Sequence, residues 1–182
     1  MATAVQPFAG TYELDRTHST FQFAIRHVAV STFRASFDDI DARLVAVGDA
    51  IELEGRALVE SVSIAEPPEF REHVVRGTDF FEADAHPLIT FRSTSVELSG
   101  DGTATVSGEL AIRGVSHAVS ADGTYQPPTV DPFGTQRAGL ELRVTVDRRD
   151  WGMTWQAPLP DGGDALGWDV EITASLEFVR KD

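Results

Sequence analysis

Val170-Glu171-Ile172-Thr173-Ala174-Ser175-Leu176-Glu177-Phe178 alternates apolar and polar side chains residue by residue. A period of two puts Val170, Ile172, Ala174, Leu176 and Phe178 on one face of a strand and the polar residues on the other. The same rhythm recurs upstream. Phe21, Phe23, Ile25 and His27 share a parity, opposed by Gln22 and Arg26. Ala104, Val106, Gly108, Leu110 and Ile112 form one face, as do Ala138, Leu140, Leu142, Val144 and Val146. Leu88 to Leu98 and Val115 to Tyr125 read as further strands. Between Phe33 and Val47, the residues Phe33, Phe37, Ile40 and Leu44 break strict parity, which predicts a bulge or bend. Ile51 to Ile64 reads as one long strand with a second bend at Gly55.

These runs make about eight strands, joined mostly by Gly-, Asp- or Pro-bearing turns, and predict an all-β antiparallel meander or barrel. Pro67 to Val75 predicts a short helix, with proline and acidic residues in its first turn. Gln126 to Gly134, with Pro127, Pro128 and Pro132, is expected to be a loop, as is Gln156 to Gly163. No repeat or linker divides the chain, so residues 1–182 are expected to form one domain. A barrel of about eight strands is either filled by its side chains or hollow enough for one small ligand. Alternation is the same in both cases.

The chain has 182 residues and a net charge of −14, from 29 acidic and 15 basic residues. Such a balance is poorly suited to phosphate backbones or anionic membrane surfaces, so no nucleic-acid partner is expected. Lys181 is the only lysine and cysteine is absent, which excludes an interior lysine nucleophile, disulfides and thiolate chemistry. No run approaches the roughly 20 apolar residues of a spanning helix, so stable membrane insertion is not expected. Met1 to Phe8 has no basic region and no apolar run, and the chain reads as cytoplasmic.

Arg71-Glu72-His73-Val74-Val75-Arg76-Gly77-Thr78-Asp79-Phe80-Phe81-Glu82-Ala83-Asp84-Ala85-His86-Pro87-Leu88-Ile89-Thr90-Phe91 sets two adjacent rings outside any clear strand. Rings of that size must be buried against something, and they are candidates to plug or line a barrel opening. Together with Tyr12-Glu13-Leu14-Asp15, Phe21 to His27, Gly108 to Ser116, Arg148-Arg149-Asp150-Trp151-Gly152-Met153 and Gly167 to Ile172, this block resembles the YceI-like family of lipocalin-like polyisoprenoid-binding proteins. The likeness runs from Tyr12 to Phe178. It implies an extended eight-stranded barrel with a helical cap, holding a long isoprenoid or other amphiphilic lipid for binding, transport or storage. An isoprenoid quinone-like lipid would fit the same description, and no other cofactor is implied. The opening element is similar to the family's first hairpin. Many relatives are exported, whereas this chain shows no leader. Glu82 stands where an aspartate is more usual. Trp168 stands where a smaller or acidic residue is usual, and facing inward it would shorten the cavity.

The residues that would touch such a ligand follow from this combination. Phe21, Phe23 and Ile25 are core by periodicity and tunnel wall by resemblance, and Phe33, Phe37 and Phe91 are expected to join that wall. Leu140, Leu142, Val170 and Ile172 belong to inward rows, with Trp168 beside the last. Trp151, Met153 and Trp155 share a parity and form either an end plug or part of the pocket. Of Phe80 and Phe81, one is expected in the core and one toward the cavity. His27 is either a hydrogen-bonded interior histidine or a head-group contact. Arg71 and His73 lie on a solvated helix face, or else greet a head group at the mouth. Asp150 is a candidate partner for Arg148 or Arg149. His18, His27, His73, His86 and His117 form no metal-ligand motif. No nucleophile motif, phosphate loop or dinucleotide fingerprint occurs, so no catalytic residue is assigned. The alternatives are a small enzyme with His27 as acid or base, and a dry-cored scaffold. A homodimer stands open beside a monomer.

Overall fold

The computed structural model describes residues 6–182, so residues 1–5, part of the segment read for a leader, lie outside the described residues. The chain forms a closed eight-stranded antiparallel barrel with one short helix. Its elements are β1 (Gly10–Leu14), β2 (Thr20–His27), β3 (Ser31–Ser36), β4 (Ile40–Val47), β5 (Ala50–Leu58), α1 (Pro68–Arg76), β6 (Leu88–Leu98), β7 (Thr103–Ile112), β8 (Val115–Val130), β9 (Gln136–Asp147) and β10 (Leu166–Arg180). From β4 to β10 each strand pairs with the next in sequence.

Two of the eight walls are broken strands, which is how ten segments make eight. β10 is long enough to serve two partners. Its Leu166–Ser175 portion pairs with β2, and its Phe178–Arg180 portion with β1. β1 and β2 are therefore consecutive pieces of one wall, separated by the turn Arg16–His18, and not the hairpin expected from resemblance. Similarly, β3 pairs with β2 while β4 pairs with β1, and the break between them falls at Phe37–Asp39, where the parity failed.

Two other expectations need correction. Gly55 makes no bend, since it sits in register between Ala42 and Phe91. The chain instead turns at Val59–Ser61, just past β5. The predicted loop after Tyr125 is mostly strand, and β8 runs on to Val130. Pro127 and Pro128 are accommodated at a register shift between Gln126 and Thr129, where their missing N–H groups break no ladder.

The inward rows fix the axis of the barrel. Phe8, Tyr12, Leu44, Val106, Tyr125, Leu140 and Phe178 pack one end solid. Val59, Val75, Phe80, Phe81, Ile89, Ile112, Trp151 and Met153 form a second cluster toward the end covered by α1. Gly108 interrupts its apolar row because a Cβ there would lie 2.6 Å from the Phe91 ring and 2.3 Å from the Arg92 carbonyl oxygen.

At the seam where β1, β9 and β10 meet, Arg137 bonds Asp15 at 2.7 Å, Asp131 at 2.8 Å and Glu177 at 2.6 Å. The Arg137 guanidinium, helped by His18, holds the Asp15 carboxyl down at about 2 from an ordinary 3.8. Asp131 is lowered by the same guanidinium. A carboxylate depressed on folding contributes stability above its unfolded pKa and loses it as pH falls through the folded one. Arg137→Met is therefore expected to lower Tm by several degrees near neutrality, because it leaves three carboxylates facing one another. The gap from the parent should close as pH falls from about 4 to about 2. Thermal unfolding across that range checks this, and a gap that stays constant would refute it.

Candidate ligand cavity

β9 leads from the solid end into the site. Ala138 and Leu140 belong to the packed floor, Leu142 and Val144 wall a small chamber of about 120 Å³, and Val146 walls a larger one of about 630 Å³. β10 runs the same course in reverse, from fully buried Phe178 through Leu176 and Ala174 to Ile172 and Val170. Phe21, Ile89 and Ile172 border both chambers. The larger one lies beneath α1, and its rim carries His27, Ser31, Thr32, Glu66, Pro67 and Phe70.

α1 starts at Pro68 after N-cap Pro67, has Glu69 in its first turn, and carries His73 and Arg76 in its last, in accord with the helix dipole. It turns Phe70 and Val74 into the chamber. Arg76 reaches Glu60 at 3.2 Å and Glu72 at 2.8 Å, and also pairs with Asp84, tying the helix to the chain on either side. The segment after α1 folds back onto it. The Phe81 N–H donates to the Val74 carbonyl at 3.1 Å, and that of Ala83 to Val75 at 2.8 Å.

This fold-back is a turn and not a strand, so alternation does not govern it. Phe80 and Phe81 are both 8% exposed, and both line the larger chamber. The expectation that one would turn away fails for that reason. Phe80 stacks on Trp155 with centroids 5.6 Å apart, and Phe81 meets Phe37 edge-on at 5.8 Å. Trp151 is nearly fully buried and donates its indole N–H to the Leu110 carbonyl at 3.1 Å.

Phe21, Phe23, Ile25, His27, Phe33, Phe37, Phe80, Phe81, Trp151, Met153, Trp155, Val170 and Ile172 all line the larger chamber. Phe91 and Leu142 line the smaller one. Four expected residues lie elsewhere. Leu140 is floor. Arg71 bonds the backbone and carboxylate of Glu60. His73 bonds Asp79 at 3.0 Å and presents its ring to Phe80 and Trp155 from outside the chamber. Trp168 lines neither chamber, and the β2–β10 register shifts beside it, between Leu166 and Val170. Its ring lies 4.2 Å from the Arg148 Cζ, and its N–H donates to Asp164. Asp150 takes neither neighbouring arginine; Arg149 pairs with Asp147, and Arg148 makes no ion pair among the described residues.

His27 sits at the rim, and its imidazole has no hydrogen-bond partner among the described residues, so the bonded-interior reading of it does not hold. The wall residues that pattern reasoning missed are Ile64, Phe70, Val74, Ile89, Ile112, Val146, Arg148 and Leu166. Asp15, His18 and Glu177 come close enough to share an ion, but Arg137 already bonds both carboxylates.

No helix among the described residues is long and apolar enough to cross a membrane. The YceI-like domain model matches residues 12–178. A UPF0312 protein of Staphylococcus aureus (strain MSSA476) is 31% identical over 169 residues, covering 92% of this chain and 96% of the relative. Among solved structures, Burkholderia cenocepacia BcnA superposes with a TM-score of 0.72 at 18% identity, covering 90% of this chain and 98% of that one. A polyisoprenoid binding domain from Saccharophagus degradans, implicated in plant cell wall breakdown, gives 0.68 at 16% identity, covering 93% and 98%. Those two likenesses concern the fold. With a domain match over most of its length and a curated relative at 31% identity, the chain belongs to the YceI-like family.

Proposed function

We propose that this protein binds a long-chain isoprenoid or related amphiphilic lipid, tail inward, and carries or stores it without chemical turnover. The observation that carries the reading is the 630 Å³ chamber, walled by phenylalanine, tryptophan, methionine and aliphatic side chains and bordering a second apolar chamber. Its volume lies within the range of small-molecule sites. Burying hydrocarbon there is worth about 25 cal/mol per Å² and needs no directed bond, so tail binding comes with little discrimination among tails. The shared fold with a protein described as a polyisoprenoid binding domain points the same way.

Turnover by His27 is the less supported alternative. A general acid or base is held in place by a second group, and the His27 imidazole has no such orienter among the described residues.

Purified protein extracted with organic solvent and analysed by mass spectrometry is expected to release a long-chain lipid. Delipidated protein is expected to take up geranylgeraniol, with a change in tryptophan fluorescence because Trp151 and Trp155 stand on the wall. Recovery of no lipid together with no uptake would overturn the proposal.

A further inference from the structure

Arg148 is the only charged side chain buried among the described residues, at 2% exposure. It continues the inward row of β9 one step past Val146 and lines the larger chamber. Its guanidinium donates to three backbone carbonyls: Gly167 at 2.8 Å, Met153 at 2.6 Å and Trp155 at 2.8 Å. A guanidinium has five N–H donors, so two remain without an acceptor among the described residues.

The nearby carboxylates are committed elsewhere. Asp147 is held by Arg149, and Asp164 accepts the Trp168 indole N–H at 2.9 Å. The face of Trp168 covers the guanidinium at 4.2 Å. Burial pushes the Arg148 pKa down, as expected for a cation without an ion-pair partner. Three carbonyl dipoles solvate the charge but do not neutralise it. In an apolar chamber this charge acts on nearby groups through a low dielectric, so it interacts strongly with whatever polar end enters.

We propose that Arg148 is the head-group subsite of the chamber and favours a ligand ending in an anionic oxygen group, such as a carboxylate or phosphate ester. The inference rests on the reading of the chamber as a lipid site. A net charge of −14 cannot by itself favour such ligands, so the preference must come from this local cation. Hydrogen bonds between charged partners are about twice as strong as neutral ones, and the forked guanidinium can offer two.

The test uses delipidated full-length protein and four probes that share a geranylgeranyl tail: the carboxylic acid, the monophosphate, the alcohol and the amine. Displacement of a fluorescent lipid is expected to show at least one of the two anions binding roughly tenfold or more tighter than the alcohol, with the amine weakest. The acid and phosphate arms distinguish a fatty-acid-like head from a phosphorylated one, and an advantage for either supports the subsite. In Arg148→Met the ratio of anion to alcohol affinity is expected to fall to about one, and Arg148→Lys to restore part of it. Because Arg148 also braces three carbonyls, Arg148→Met could fail to fold; the head-group series on the parent protein then decides alone. Equal affinity of the parent for acid, phosphate, alcohol and amine would overturn the subsite and leave tail binding standing. Failure of every probe to bind would instead count against the lipid reading itself.

Discussion

Replacing Trp151 with alanine is expected to cost about 3 to 5 kcal/mol of unfolding free energy, the largest loss from any single truncation at this site. The indole is 1% exposed, packs in the cluster under α1, and meets the His117 ring edge-on at 5.2 Å. Its N–H donates to the Leu110 carbonyl, so the ring joins the segment after β9 to β7, past the intervening β8. Two anchors on that segment depend on its position, and one is the 2.9 Å hydrogen bond between His117 Nε2 and the Asp150 carbonyl. Arg113 bonds the Trp151 carbonyl at 3.1 Å, the Thr78 carbonyl at 2.6 Å and Glu82 at 3.0 Å, linking the fold-back after α1 to the same place. Truncation removes apolar contact and opens a void beside an existing chamber, which the surroundings cannot close. Trp151→Phe keeps most of the packing and loses the hydrogen bond, so about 1 to 2 kcal/mol is expected. Urea unfolding followed by circular dichroism gives both numbers. A loss below about 1 kcal/mol for the alanine variant would show that the ring is not the brace described.

Alternation made the barrel legible because each wall has one apolar and one polar face. Val170 to Phe178 and Ala138 to Val146 lie in the strands and facing the sides that parity assigned them. Pairing was less legible. That β1 and β2 share β10 as a partner depends on the length of β10, which no local pattern records. Within the site, the large rings were found wherever they lie, Trp151 and Trp155 beyond β9 included, while smaller wall residues on strands, Ile89, Ile112, Val146 and Leu166, were not. Both rings of Phe80-Phe81 face inward because that segment follows the helix, where a period of two has no hold. Leu140 obeyed parity but lies one step too deep, since parity gives the face and not the depth. Arg148 shows the opposite error. The even row of β9 extends one position further, and a charged residue there was read for its charge instead of its parity. Trp168 shares the parity of Val170 and still does not line the chamber; its ring packs on Arg148, beside a register shift that is invisible in the sequence.

Val146→Trp is expected to abolish most lipid binding while leaving stability unchanged or improved. Val146 faces the 630 Å³ chamber from near the C-terminal end of β9, where it pairs with Val170 of β10. Most enlargements of a packed core strain their neighbours, but here the added ring projects into open space. If that space is filled only when ligand is bound, an indole there gains dispersion contacts that the parent lacks. It also takes room from a tail. Displacing about four carbons at roughly 0.8 kcal/mol each removes about 3 kcal/mol of binding, close to a hundredfold in Kd. Thr145→Trp supplies the control, since Thr145 is exposed on the outer face one residue away and opposite Glu171. The same ring there should leave affinity as it was. Titration of delipidated proteins with geranylgeraniol, paired with thermal unfolding, separates the outcomes. Full affinity in a folded Val146→Trp protein would place the ligand outside this chamber. A large drop in Tm would show that the space was already filled by the protein. The combination of weak binding and retained Tm is specific to a barrel whose interior is left open for a guest.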